Sequence, residues 1–143
     1  MKLSLFEFSV KLLTIFYLLN ITVHEYGHIL AARFLGHYGE IRSTALNHAY
    51  ITYNYTPPFW HHWFIWGAGG FTVFIVFIVL TWKNVDPEHK TAYFLTAVIN
   101  LVYAFFEALF PSEFWEFGSL LGMFVALTYF IYLLLIKRVE ITL

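Results

Sequence analysis

The chain has 143 residues, of which 60% are hydrophobic, 22% aromatic and only 12% charged. This composition excludes an ordinary soluble domain, because too few charged side chains are present to cover its surface. A formal net charge of -1 and the lack of a basic cluster give no indication of a nucleic-acid partner. Cysteine is absent, which excludes disulfides, thiolate metal ligands and cysteine nucleophiles. A membrane protein with a single domain over residues 1–143 is therefore expected.

The chain contains four apolar stretches close to the length that crosses a bilayer, about 20 helical residues for a core of roughly 30 Å. They cover approximately residues 5–35, 64–82, 91–110 and 114–136. The stretches are apolar around the whole helix circumference, which suits lipid or a bundle interior better than a soluble amphipathic helix. The sequence therefore predicts an all-α membrane protein with about four transmembrane helices.

A more polar segment, residues 39–58, separates the first two apolar stretches. Thr52, Tyr53 and Tyr55 favour extended structure, and Asn47-His48 is a pair that could turn a hairpin. A short β-hairpin and an irregular loop are equally compatible with this segment.

Four crossings would bring both termini to the same side of the membrane. Six basic residues then lie on the side of the termini and two on the other: Lys2, Lys11, Lys83, Lys90, Lys137 and Arg138 against Arg33 and Arg42. Because positively charged loops stay on the cytoplasmic side, cytoplasmic termini are favoured. We expect a multi-pass protein of a prokaryotic cell membrane.

The motif HEYGH, residues 24–28, interrupts the first apolar stretch. In a helix, positions i and i+4 differ by about 40° around the axis, so His24 and His28 point the same way. This spacing suits two imidazole ligands of one zinc ion, with Glu25 beside them as general base for a metal-bound water. The alternative is a pair of interfacial histidines that bond headgroups or a neighbouring helix. Because ionisable groups are costly in a membrane helix and usually functional there, the metal site is favoured.

A catalytic zinc takes three protein ligands and keeps a fourth position open. Three glutamates surround the turn between the third and fourth stretches: Glu107, Glu113 and Glu116. Glu113 and Glu116 could instead be interfacial carboxylates at the positive end of a helix, and Glu107 could bond a tyrosine or an arginine. His61 and His62 are further candidates, although an interfacial belt of aromatic and imidazole side chains suits them better.

The segment HEYGHILAARFLG resembles the first signature of the site-2 protease family, intramembrane zinc metalloproteases in which HExxH lies on a transmembrane helix. GAGGF, residues 67–71, is similar to the segment that opens the next helix in that family. Asn100 and Pro111-Ser112-Glu113 resemble the third signature, with glutamate in place of its aspartate ligand. The resemblance runs from the first apolar stretch onward and weakens toward the C-terminus.

The resemblance implies zinc as cofactor, Glu113 as third ligand ahead of Glu116, and a transmembrane protein or peptide as substrate. It also implies substrate-binding roles for Asn100, Gly69 and Gly70, whose alternatives are an interhelical hydrogen bond and close helix packing. Two departures concern the third signature: Asn100 and Glu113 lie further apart than in the family, and Phe114 replaces the glycine after the acid. The family's site generally opens to the cytoplasm, opposite to the side that the basic residues indicate.

An intramembrane zinc metalloprotease is therefore the expected function, with the lipid bilayer as its environment. A small haem-binding electron carrier is one alternative, in which His24 or His28 pairs axially with His61 or His62. A catalytically inactive, protease-like scaffold is another, supported by the imperfect third signature.

Overall fold

The computed structural model describes residues 2–16, 21–45, 48–53, 58–110, 115–136 and 140–142. This part of the chain contains five helices: α1 Leu5–Thr14, α2 Ile21–Phe34, α3 Phe59–Lys83, α4 Pro87–Leu109 and α5 Trp115–Ile136. It also contains four short strands: β1 Lys2–Ser4, β2 Gly39–Ala45, β3 His48–Tyr53 and β4 Glu140–Thr142. The predicted helical architecture is confirmed for the three long apolar stretches, which correspond to α3, α4 and α5.

Among the described residues, α3, α4 and the Phe117–Leu135 part of α5 are long and apolar enough to cross a membrane. Within the first predicted stretch, 5–35, the structure describes α1 and α2, and residues 17–20 between them lie outside the described part. A crossing by this stretch is therefore not tested by the described residues.

The helices α2 to α5 lie side by side, each antiparallel to the next. The Phe77 ring of α3 packs against the Tyr93 ring of α4, with centroids 5.6 Å apart, and the Phe94 ring of α4 lies 4.8 Å from that of Tyr129 in α5. Glycine allows the backbones to approach closely, since a Cβ at Gly70 would lie only 2.6 Å from the Asn100 carbonyl oxygen. Close small-residue contacts of this kind set the relative height of α3 and α4.

The main core lies between α1, α3, α4 and α5. Its buried residues come from all four helices and from the residue that follows α1: Phe8, Ile15, Val73, Phe77, Ala92, Leu95, Ala97 and Ala126. At the end where α3 turns into α4, Lys11 Nζ lies 2.6 Å from Glu88 Oε2 and 3.4 Å from Asp86 Oδ2. At the opposite end, His37 contacts His61 at the start of α3. Lys11 and His37 therefore lie at opposite ends of the bundle.

Two pairs of strands accompany the helices. β2 and β3 pair antiparallel between α2 and α3, with Gly39 opposite Tyr53, while residues 46–47 between them lie outside the described part. The segment 39–58, for which the sequence allowed either a hairpin or an irregular loop, thus contains two paired strands. β1 and β4 pair in parallel, with Lys2 opposite Glu140, so the two ends of the chain lie together.

Asp86 forms the N-cap of α4 at the turn from α3. Its carboxylate accepts hydrogen bonds from the backbone amides of Glu88 and His89, and Pro87 occupies the first turn. The hydrogen bond from the His89 imidazole, with smaller contributions from these amides and Lys11, lowers the pKa of Asp86 to about 2. The folded state therefore stabilises the carboxylate form of this residue.

Replacing Asp86 with asparagine is expected to make stability less sensitive to acid. The contribution of Asp86 is complete above its unfolded pKa of about 3.9 and is lost as pH falls through that value toward about 2. Asparagine keeps the cap but cannot titrate. The free energy of unfolding of the variant should therefore lack the acid-dependent loss of about 0.3–1 kcal/mol, the usual contribution of a charge at a helix N-terminus. Thermal unfolding in detergent at pH 6 to 2, roughly the range that spans both pKa values, measures the difference. Parallel curves for Asp86→Asn and wild type would contradict it.

Candidate metal centre

Three side chains with metal-binding atoms converge between α2 and α4. The Nε2 atoms of His24 and His28 lie 2.9 Å apart. Glu107 places Oε2 at 3.5 Å from His24 Nε2 and Oε1 at 3.5 Å from His28 Nε2. All three residues can direct one ligand atom to a common point, so the group could hold a metal ion.

The helices determine this arrangement in a simple way. His24 and His28 lie one turn apart on the same face of α2. Facing them on α3 is Gly69, where a Cβ would come within 2.6 Å of His28 Cε1 and 2.8 Å of His24 Cε1. Only a residue without a side chain leaves room for the two imidazoles. Glu107 enters from the last turns of α4, on the other side of the histidines.

The distances fit a small cation with tetrahedral geometry. Bonds of about 2.0–2.1 Å to zinc place neighbouring ligand atoms about 3.3 Å apart. The observed separations of 2.9 and 3.5 Å lie on either side of that value. Glu107 Oε2 is buried and has no hydrogen-bond partner among the described residues. A cation would compensate for this oxygen, whose burial without a partner is otherwise costly.

Neighbouring groups orient two of the three ligands. His28 Nδ1 lies 2.7 Å from the backbone oxygen of Ile65. Because a carbonyl oxygen only accepts, Nδ1 carries the proton and donates it, and Nε2 is left with a lone pair for a metal. Tyr103 lies one turn before Glu107 on α4, and its hydroxyl makes a long hydrogen bond of 3.5 Å to Glu107 Oε1. The Tyr103 ring also packs against His24, with centroids 5.4 Å apart.

Glu25 flanks the ligands without joining them. Successive helical residues point about 100° apart, so its carboxylate leaves the His24–His28 face at the side. Glu25 is partly buried and lies within electrostatic range of His28 and Tyr103. A carboxylate in this position can exchange protons with a small molecule held at the centre.

The structure brings His24 and His28 of the HEYGH motif together with one of the three candidate glutamates. That glutamate is Glu107, which the sequence ranked below Glu113. Glu113 itself lies outside the described residues, as does the side chain of Glu116. His61 contacts His37 and His62 packs against Trp66, so neither belongs to this group.

The predicted substrate-binding residues lie near the centre and in helix contacts. Gly69 lies directly against the two histidines, whereas Gly70 faces the backbone of α4. Asn100 is only 3% exposed, and its Nδ2 donates to the backbone oxygen of Thr96 at 2.9 Å. In this arrangement the Asn100 side chain bonds within its own helix.

Sequence reasoning missed two groups: Tyr103 and the backbone oxygen of Ile65. Asn100, Tyr103 and Glu107 follow the spacing i, i+3 and i+7, which places them on one face of a helix. That polar face on an apolar helix was a signal for both Tyr103 and Glu107. The Ile65 carbonyl has no signal in the sequence, because every residue carries one.

Replacing Gly69 with alanine is expected to weaken metal binding about 10–100-fold, the usual effect of disturbing groups that orient ligands. The new methyl group would overlap both imidazoles, which must move apart. We also expect a loss of about 1–3 kcal/mol in the free energy of unfolding from overpacking. Zinc titration and thermal unfolding in detergent would measure the two effects.

The matched control is Gly67→Ala, two residues away on the same helix. There the nearest atom to a new Cβ is Ala108 Cβ at 3.1 Å, and no imidazole is close. This variant should bind zinc like wild type. Equal affinity in Gly69→Ala and wild type would show that α3 does not confine the histidines.

The candidate centre consists of two histidines and one glutamate: His24, His28 and Glu107. Its ligands come from two helices, and a third helix supplies the Ile65 carbonyl and the space at Gly69. Comparisons of the chain with protein-family models, with curated proteins and with solved structures give no match.

Proposed function

We propose that the protein is an intramembrane zinc metalloprotease with a mechanism similar to that of the site-2 protease family. His24, His28 and Glu107 would hold the zinc, and Glu25 would act as general base. The observation that carries this proposal is the position of the Glu107 carboxylate at 3.5 Å from both HEYGH histidines, with one buried oxygen lacking a hydrogen bond among the described residues. The sequence resemblance in HEYGHILAARFLG and GAGGF supports the same conclusion.

Glu107 also fits the family pattern better in spacing than Glu113. It follows Asn100 on the same helix, within α4, whereas Glu113 lies beyond the end of that helix. The separation from Asn100 is seven residues instead of 13, while the position after the acid, Ala108, again lacks the glycine of the family. Glu107 as third ligand is therefore part of the proposal.

Two imidazoles and one carboxylate form a donor set that catalytic zinc sites use, with one position left for water or substrate. When bound, zinc would supply Lewis acidity toward the scissile carbonyl and the attacking water. Glu25 takes a proton from that water at its carboxylate as the water oxygen bonds to the carbonyl carbon. The same carboxylate then delivers the proton to the amine nitrogen as the peptide bond breaks.

Other groups hold the reacting parts in place. The Ile65 carbonyl keeps the His28 imidazole in one tautomer, and Tyr103 restrains the Glu107 carboxylate. The side chains of His24, His28 and Glu107 are only 12%, 7% and 16% exposed, so bulk water has little access to them. A substrate would have to be extended at the cleaved bond, because a helical backbone hides its carbonyls.

We further propose that residues 5–35, which include α1 and α2, make a fourth crossing of the membrane. Support comes from Lys11 at the α3–α4 turn and His37 at the opposite end of the bundle. The pairing of Lys2–Ser4 with Glu140–Thr142 is compatible with both termini on one side. The excess of lysine and arginine there favours the cytoplasmic side of a prokaryotic cell membrane.

Two other functions can be separated from this one experimentally. A haem carrier would need His24 or His28 to face His61 or His62, whereas His24 and His28 face each other and His61 contacts His37. An inactive scaffold would share the metal centre but not the chemistry. Zinc content, the visible spectrum and cleavage of membrane-spanning reporter peptides should be measured on one detergent-purified sample.

Zinc with cleavage of a reporter would support the protease. Zinc without cleavage across a broad panel of reporters would favour the scaffold, and a haem absorption band would favour the electron carrier. A folded protein that binds no zinc would contradict the proposed centre.

A further inference from the structure

A second pair of imidazoles lies about two helical turns along α3 from Gly69, the residue that faces the metal centre. His37 Nε2 contacts His61 Nδ1, and the two ring centroids are 4.7 Å apart. On α3, His61 precedes Ile65 by four residues, a rise of about 6 Å along the axis. Ile65 in turn bonds His28. The two histidine pairs therefore follow one another along the groove between α2 and α3.

Backbone turns position both members of this pair. α2 ends at Phe34, and Gly36, two residues later, has a φ of 80°, in the left-handed region that favours glycine. The backbone amide of His37 then donates to the Ala32 oxygen at 2.8 Å, which directs the chain back toward α3. His61 lies in the first turn of α3, where its amide donates to the Pro58 oxygen at 2.9 Å. The imidazoles are thus held by main-chain geometry.

The surroundings of His37 and His61 are suited to binding a metal ion. His37 is only 4% exposed, while His61 is partly exposed and could admit an ion and its remaining water ligands. The next residue, His62, has a buried Nδ1 atom without a hydrogen-bond partner among the described residues. Imidazole nitrogens are preferred ligands of zinc, nickel and copper.

We propose that His37 and His61 form a second binding site for a divalent transition-metal ion, separate from the centre of His24, His28 and Glu107. The site lies between that centre and the end of the bundle formed by the start of α3. It does not depend on protease activity. With two protein ligands, it should bind more weakly than the three-ligand centre.

The test is a zinc titration of the full chain in detergent after removal of metals by a chelator. Wild type should bind two zinc ions, the weaker of which is lost in His37→Ala and in His61→Ala. His24→Ala should lose the tighter ion and retain the weaker one. His89→Ala, at the opposite end of the bundle near the start of α4, is the matched control and should retain both.

The result that overturns the proposal is a wild type that never binds a second ion, or one whose second ion persists in both variants. The pair would then be a histidine–histidine hydrogen bond only. If His37→Ala does not fold, because His37 is buried, the titration of His61→Ala tests the proposal. His61 is partly exposed at the start of a helix, so its replacement should leave the fold intact. The separate response of His24→Ala distinguishes failure of this site from failure of the metal centre.

Discussion

Replacing Glu25 with glutamine is expected to lower cleavage of a membrane-spanning reporter by about two to four orders of magnitude, the usual contribution of a general base. Glutamine has nearly the same shape but cannot accept a proton from the attacking water. Because Glu25 is not one of the three side chains that converge, the proposed ligands stay in place and zinc should remain bound. The loss should appear in kcat, with zinc content unchanged by mass spectrometry.

Glu40→Gln provides the matched control, since Glu40 is an exposed glutamate on β2. It makes the same chemical change outside the centre and should leave cleavage at the wild-type rate. A Glu25→Gln protein that cleaves as fast as wild type would show that another group takes the proton. A variant that loses zinc as well would instead give Glu25 a role in holding the metal.

Replacing Glu107 with alanine is expected to weaken zinc binding by more than the roughly 10–100-fold typical of groups that only orient ligands. The change removes a ligand that lies 3.5 Å from both histidine nitrogens and leaves two imidazoles to hold the ion. Cleavage should disappear with the metal. Glu107→Gln, which keeps one neutral oxygen and the side-chain volume, should bind zinc with intermediate affinity.

Glu113→Ala and Glu116→Ala separate the remaining candidates for the third ligand. Both should bind zinc like wild type if Glu107 completes the centre. A loss of zinc in Glu113→Ala with full binding in Glu107→Ala would instead assign the third ligand to Glu113, as the sequence resemblance first suggested. Affinity from competition with a chromophoric chelator distinguishes these results more sharply than activity does.

The helical parts of this fold are predictable because hydropathy and helical period are local properties. The stretches 64–82, 91–110 and 114–136 correspond to α3, α4 and α5 within a few residues. Asp86-Pro87 is an ordinary signal for the start of a helix, and α4 begins there.

The pairing of the two histidines was also determined by the sequence alone. The four-residue interval in HEYGH places His24 and His28 on one face of any helix that contains them, whatever surrounds it. The absence of cysteine in the chain left histidine and carboxylate side chains as the strong metal ligands. A motif therefore identified two of the three side chains of the candidate centre and the proposed base.

The tertiary structure alone decided which described glutamate meets those histidines. That choice depends on how α2, α3 and α4 are positioned relative to one another along the bundle axis. Close contacts of Gly27 with α3 and of Gly70 with α4 determine these positions. The same packing brings the Ile65 carbonyl to His28 and His61 to His37. Local sequence patterns specify which side chains share a helix face, but the approach of one backbone to another is a property of the whole bundle, because it arises only when all its small-residue contacts form together.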